Sequence, residues 1–401
     1  MKIGQTQRHL SGKGVTVAVI DESIDTHAPE LRGQHVSLGP DCFGEKTTSK
    51  PGSYNDHGTS MASYVVGSGH GMGPDGAGVR GVAPGARLRF FGLDTQPPAD
   101  LDCGPSGLAT EINSAVRAGA DIVSMSVAFS GGGSALEHAV RHAIEHGVVL
   151  VAASGDTAGK NAMPQIGYPA AVPGVVAVNA VDRKARPWST NPPPTFTDYR
   201  TSFPVISAPG VHVNAMGWLG GWDSTGWVTG TSPATAIVAG CLALVKQKYP
   251  DATGNQLVQD LIHFTGGSRK YYWDPKYGFG ITSLPDMLNH DPTKWPNVNP
   301  LLHGPKAAMK DFPMSSYGKA QVDGSTSGKA SASPSVAAAG KSGKTGKTGN
   351  TLGTQSGGSD GGVPPWVWVI VAVVVLGGAG GTATMMKKRG RAAPGAGTGR
   401  V

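Results

Sequence analysis

Three residues of this 401-residue chain stand where local structure puts side chains to chemical use. Ser232 lies in Gly230-Thr231-Ser232-Pro233-Ala234-Thr235-Ala236, a turn running into an apolar, small-residue stretch that stays uncharged up to Lys246. That pattern predicts a serine at the mouth of a buried helix. Pro233 suits the first helical turn, where its missing N–H costs nothing. Backbone N–H groups converge at such a helix start and favour negative charge developing beside the hydroxyl. His57, in Asp56-His57-Gly58-Thr59, opens a second small-residue helix through residues 61–67. Asp21 ends the β-branched run Val-Thr-Val-Ala-Val-Ile of residues 15–20, which predicts a buried parallel strand. Ligands of open α/β sheets meet the carboxyl ends of such strands. Singly, the three read as an N-capping serine, a satisfied structural histidine and a turn-capping aspartate. Together they are the groups of acyl transfer: the histidine takes the serine proton, and the aspartate holds the histidine in its productive tautomer.

The elements that must position them alternate. Residues 81–91 predict a turn and then a strand. Residues 108–118 have helical periodicity, with Leu108, Ile112, Ala115 and Val116 on one face. Strands follow at 121–127, 147–153, 175–181 and 205–210, with an amphipathic helix at 135–145 between the first two. Strands and helices alternating at this spacing imply an α/β fold, a doubly wound, mostly parallel sheet flanked by helices.

The net charge of +7 belongs to the tail. From Leu301 onward there are 12 basic against 3 acidic residues, which leaves 22 against 24 in the body. A near-neutral body removes the electrostatic footprint of a nucleic-acid binder. Residues 315–362, rich in Gly, Ser, Thr, Ala and Lys, predict a flexible linker after a domain at 1–314. Residues 363–386 then predict a transmembrane helix. The stretch is uncharged and long enough to span a bilayer, with Trp366 and Trp368 at one interface and Lys387, Lys388 and Arg389 at the other. The basic tail, 387–401, is expected in the cytoplasm, which puts the body outside the cell. Gly377 and Gly381 form a Gly-x-x-x-Gly, a hint of helix pairing. Cys42, Cys103 and Cys241 lack ligand spacing, and the acids form no recognisable metal loop, so no metal or cofactor is assigned and structural calcium stays open.

The motifs, in order, resemble those of the subtilisin-like serine proteases. They are Val17-Ala-Val-Ile-Asp21, Asp56-His57-Gly58-Thr59, Gly81-Val-Ala-Pro84, Ala208-Pro-Gly210 and Gly230-Thr231-Ser232, spread over roughly residues 10 to 290. The resemblance implies a catalytic triad of Asp21, His57 and Ser232. It implies that Ser126, Val127 and Ala128 pair with an extended substrate, and that Ser154 and Gly155 wall its specificity pocket. Asp156 stands where the family places an oxyanion-donating Asn. Glu22, Pro233, Ala236 and Ala128 are further departures. The C-terminal anchor and Tyr277-Gly-Phe-Gly-Ile281 look like the mycosins, the type VII secretion-associated subtilases. That likeness implies a peptide or protein substrate and secretion-system components as partners, in a membrane-anchored protease or a weakly active structural component of such a system. About a dozen residues precede the first strand without a leader or propeptide, so export implies an upstream start, a missing N-terminal part or another route. In an exported, oxidised domain the loop residues Cys42 and Cys103 are expected to pair, while Cys241 stays reduced in its apolar helix.

Overall fold

The computed structural model describes residues 3–44, 47, 56–93, 103–155, 166–188, 204–216, 222, 225–266 and 271–318. Asp156, the expected linker beyond residue 318 and the expected membrane span lie outside these residues. Among the described residues no helix is long and apolar enough to cross a membrane.

A single helical turn, α1 (Ile3–Thr6), precedes the first strand, β1 (Thr16–Asp21), which is buried at all six positions. Successive strand side chains point to opposite faces, so a strand buried throughout lies in a sheet covered on both sides. Next come β2 (Val36–Leu38), α2 (Asp56–Val66) and the antiparallel pair β3 (Ser68–His70) and β4 (Ala77–Arg80). The central alternation is β5 (Arg87–Gly92), α3 (Gly104–Arg117), β6 (Ile122–Met125), α4 (Ser134–Glu145), β7 (Val149–Ala153), β8 (Val176–Val181) and β9 (Ile206–Pro209). A hairpin, β10 (Val213–Met216) and β11 (Thr225–Val228), leads into the long helix α5 (Thr231–Lys248). The chain closes with α6 (Gly254–His263), β12 (Thr265–Gly266), β13 (Ile281–Thr282), α7 (Leu284–Leu288) and α8 (Pro305–Asp311).

Nine strands form one sheet in the order β12-β13-β9-β8-β7-β6-β1-β5-β2, parallel at every junction except β12–β13. The order makes it doubly wound. From β1 the chain fills the β5–β2 side, then crosses to β6 and builds outward to β9. The reversal lies between β1 and β6, the crevice where such sheets bind ligands. Two expected boundaries move. The helix expected at 108 starts at Gly104, because Pro105 fits its first turn. The strand expected to reach residue 127 ends at Met125, because Ser126 turns toward α5.

Helix α5 packs on α2 and across β6, β7, β8 and β9. Its small residues Ala234, Ala236, Ala239 and Cys241 are fully buried, which lets the helix axis approach the sheet. A Cβ on Gly240 would sit 2.5 Å from the Cβ of Val82. Cys42 and Cys103 are disulfide-bonded with Cα atoms 5.9 Å apart, and Cys241 is free and buried, both as expected. Several acids are buried as well. Burial pushes the carboxyls of Glu30 and Glu111 up to about 7 and about 8. At the C-terminal side His263 stacks between Tyr271 and Trp295, its ring nitrogens 2.7 Å from the Gln259 carbonyl and 2.8 Å from that of Phe312. Tyr317 packs edge-on against Trp295, so the packed body includes residues past the expected boundary at 314.

Alanine is the better helix former by about 1 kcal/mol, yet Gly240→Ala is expected to destabilise the fold by about 1–3 kcal/mol through overpacking against Val82. Adding Val82→Ala should recover part of that loss, so urea unfolding should find the double variant more stable than the two single effects added together.

Candidate functional site

β1 and β6 are neighbours with Ile20 opposite Met125, so Asp21 and Ser126 leave the sheet side by side. Asp21 is fully buried. Its Oδ1 accepts from the backbone N–H of Glu22 at 2.8 Å and lies 2.7 Å from His57 Nδ1. Its Oδ2 is buried without a hydrogen-bond partner among the described residues. His57 is the second residue of α2, and its side chain is 23% exposed, which leaves the ring accessible at the surface of the crevice. In a histidine whose Nδ1–H donates to a carboxylate, Nε2 is the ring nitrogen with basic character. Gly58 is required beside it: a Cβ there would collide with the Ser23 carbonyl and the Phe90 ring.

Ser232 is the second residue of α5, after Gly230 in extended conformation (φ 169°, ψ 172°). Its hydroxyl donates to the Ser126 carbonyl at 3.3 Å, and the Ser126 hydroxyl donates to the Ser232 carbonyl at 3.1 Å. This reciprocal pair brings two of the expected site residues together across the β6–α5 junction, as the Asp21–His57 bond does across β1–α2. The halves adjoin through the β1–β6 pairing and the packing of α2 on α5.

Val127 and Ala128 continue from Ser126 as a half-buried segment, anchored beyond by an antiparallel bridge between Phe129 and Tyr168. Neither carries a backbone hydrogen bond to another described residue, which leaves an edge able to accept an extended chain. Ser154 and Gly155 follow β7, one strand further from β1. Ser154 is buried, its N–H donating to Val178 and its carbonyl accepting from Gly167, and Gly155 has φ +94°. Asp156, the expected oxyanion residue, is outside the described residues. Among the described residues no group of three or more His, Cys, Asp or Glu side chains is arranged to hold a metal ion.

Two features escaped the sequence reading. Glu22, next to Asp21, is buried rather than solvated, and burial pushes its carboxyl up to about 7, opposed by the charge of nearby His57. Asp25, four residues after Asp21, is also buried and accepts from the indole N–H of Trp222 at 2.7 Å. An acid repeated four residues after Asp21 was the one local sign of it.

Residues 12–280 match the model of the subtilase family, peptidase S8. The chain is 36% identical over 256 residues to a thermostable alkaline protease of Halalkalibacterium halodurans, covering 63% of this chain and 62% of that one. It spans about three fifths of the length of the curated relatives it matches. Among solved structures it resembles fervidolysin from Fervidobacterium pennivorans, a keratinolytic enzyme, with a TM-score of 0.58, 24% identity and coverage of 73% of this chain and 45% of that one. It also resembles the MycP3 protease of the type VII (ESX-3) secretion system, with a TM-score of 0.55, 26% identity and coverage of 72% and 86%.

Glu22 makes stability depend on pH in a definite direction. Between its ordinary value of 4.5 and about 7, the unfolded chain has lost this proton while the folded chain keeps it. Stability present below that window is therefore lost as the pH rises through it. Glu22→Gln removes the titration, so urea midpoints should show the variant gaining about 1–3 kcal/mol on the wild type between pH 4.5 and pH 8. A difference constant across that range would mean that Glu22 does not titrate there.

Proposed function

The chain belongs to the subtilase family, and from that membership we propose that it is a membrane-anchored, extracellular serine endopeptidase. Ser232 is the nucleophile, His57 the general base and then acid, and Asp21 the carboxylate that orients the imidazole. The observation that supports this most is the 2.7 Å contact between Asp21 Oδ1 and His57 Nδ1, across the crevice from a serine at the mouth of an 18-residue helix. His57 Nε2 takes the Ser232 proton as Oγ attacks the scissile carbonyl, and returns it to the leaving amine. Water then releases the acyl group by the same exchange. Ser126, Val127 and Ala128 pair with the extended substrate backbone, and Ser154 and Gly155 wall the pocket for the side chain preceding the scissile bond.

Asp156 is the oxyanion residue in this reading. An ionised carboxylate only accepts hydrogen bonds and repels the oxyanion, whereas a protonated one donates. Residues 363–386 are the membrane span, with 387–401 cytoplasmic. The likeness to a protease of a type VII secretion system is the ground for proposing secretion-system components as partners. A second reading, a subtilase-fold structural component of such a system with little proteolysis, draws its support from Asp156.

A fluorophosphonate probe on the full-length protein separates the two. The endopeptidase reading expects stoichiometric labelling that Ser232→Ala abolishes, and loss of extended-peptide cleavage in the same variant. Equal cleavage by Ser232→Ala and wild type at matched stability would refute the nucleophile.

Asp156→Asn is expected to raise kcat and to flatten its rise on acidification. The gain should reach at most about 10²- to 10³-fold, the range measured for loss of the corresponding donor in a subtilisin. Unchanged kcat and pH profile would remove Asp156 from the oxyanion site.

A further inference from the structure

Asp25 sits in the turn that leaves β1, four residues after Asp21, with only 2% of its surface exposed. A buried carboxylate is costly unless donors reach both oxygens, and here they do. Oδ1 accepts from the His27 backbone N–H at 2.9 Å, with His27 Nδ1 at 3.3 Å on a side chain that is 81% exposed. Oδ2 accepts from Trp222 Nε1 at 2.7 Å, across 197 residues of sequence. The backbone N–H of Asp25 donates to Thr59 Oγ1 at 2.8 Å. Thr59 is fully buried and lies on α2, two residues past His57.

One residue thus touches three carriers of the site. It follows the strand that ends in Asp21, it is bonded to the helix that holds His57, and its carboxylate holds Trp222, which lies between β10 and β11 in the chain. That connection feeds Ser232: β11 runs into Gly230, whose N–H donates to the Gly210 carbonyl at 2.9 Å. The hairpin has a second attachment, from the buried Tyr64 hydroxyl of α2 to the Asn214 carbonyl of β10, at 2.7 Å. Two attachments fix a hairpin against pivoting where one would not.

We propose that Asp25 is a positioning residue that acts through the Trp222 indole to hold the hairpin leading to Ser232 in register with the helix carrying His57. The inference rests on the reading of Ser232 as nucleophile. Removing the indole N–H leaves a buried carboxylate oxygen without its donor, a cost relieved when residue 222 moves away from Asp25. Misplacement by about 1 Å between reacting groups costs on the order of 10²-fold in rate. The effect falls on kcat, because the edge at Val127 and Ala128 that takes the substrate is untouched.

The test uses the full-length protein, with fluorophosphonate labelling of Ser232 and peptide kinetics in parallel. Trp222→Phe and Asp25→Ala are each expected to label about 10- to 100-fold more slowly. Their kcat should fall by the same factor and KM should hold, at temperatures where urea unfolding shows both fully folded. Asp25→Asn, which can still accept from the indole, should recover most of what Asp25→Ala loses. The double variant Asp25→Ala/Trp222→Phe should be no slower than the slower single. Trp227→Phe, on an exposed position of the same hairpin, should label at the wild-type rate. Wild-type labelling rates in Trp222→Phe, a change confined to KM, or multiplicative losses in the double variant would each overturn the proposal. Should Trp222→Phe fail to fold, the comparison of Asp25→Asn with Asp25→Ala decides, and equal rates in those two would overturn it. Absence of labelling in the wild type would overturn the serine reading and this inference with it, whereas equal labelling in every variant overturns this inference alone.

Discussion

The burial of α5 constrains everything around it. A helix with no charge before Lys246 and with alanines on several sides has no face for solvent, so it must be covered all round. Strands β1, β6, β7, β8 and β9 and helices α2, α6 and α7 supply that cover. Its axial position is then set by close contacts such as Gly240 against Val82, and its first turn opens beside the carboxyl edge of β6. Ser232 therefore owes its location to hydrophobic packing along the rest of the helix.

The same edge gathers acids in an apolar setting. Asp21, Glu22 and Asp25 fall within five residues, and all three are buried. Each meets the cost of burial differently. Asp21 Oδ1 takes a ring N–H and a backbone N–H, and Asp25 takes an indole N–H and a backbone N–H. Glu22 instead has its carboxyl pushed toward the neutral form. One electrostatic problem thus meets two solutions, donors on the two aspartates and a raised carboxyl on Glu22.

Much of this was legible in the sequence where the signal was local. The runs at 15–20, 147–153 and 175–181 gave their strands because both faces of a parallel sheet are buried and the run is continuously apolar. The helix starts at His57 and Ser232 showed in their small-residue patterns, and the loop cysteines showed their pairing. The short antiparallel pairs β3–β4 and β10–β11 did not show, since such strands take their register from distant partners such as Tyr64. The burial of Glu22 and the bond from Asp25 to Trp222 were equally invisible. A carboxylate reads as a solvated residue until tertiary structure brings a donor from 197 residues away.

The C-terminal cluster has a mechanical consequence. The last described residues hold on through Tyr317 against Trp295 and the Phe312 carbonyl at His263, so tension applied beyond Gly318 meets those contacts. These contacts involve α6, which follows the far end of α5, where Tyr249 donates to the Leu288 carbonyl. An 18-residue helix is about 27 Å long. A pull applied beyond Gly318 thus loads first the contacts of Tyr317 and Phe312 with Trp295 and His263, none of which involves Asp21, His57 or Ser232.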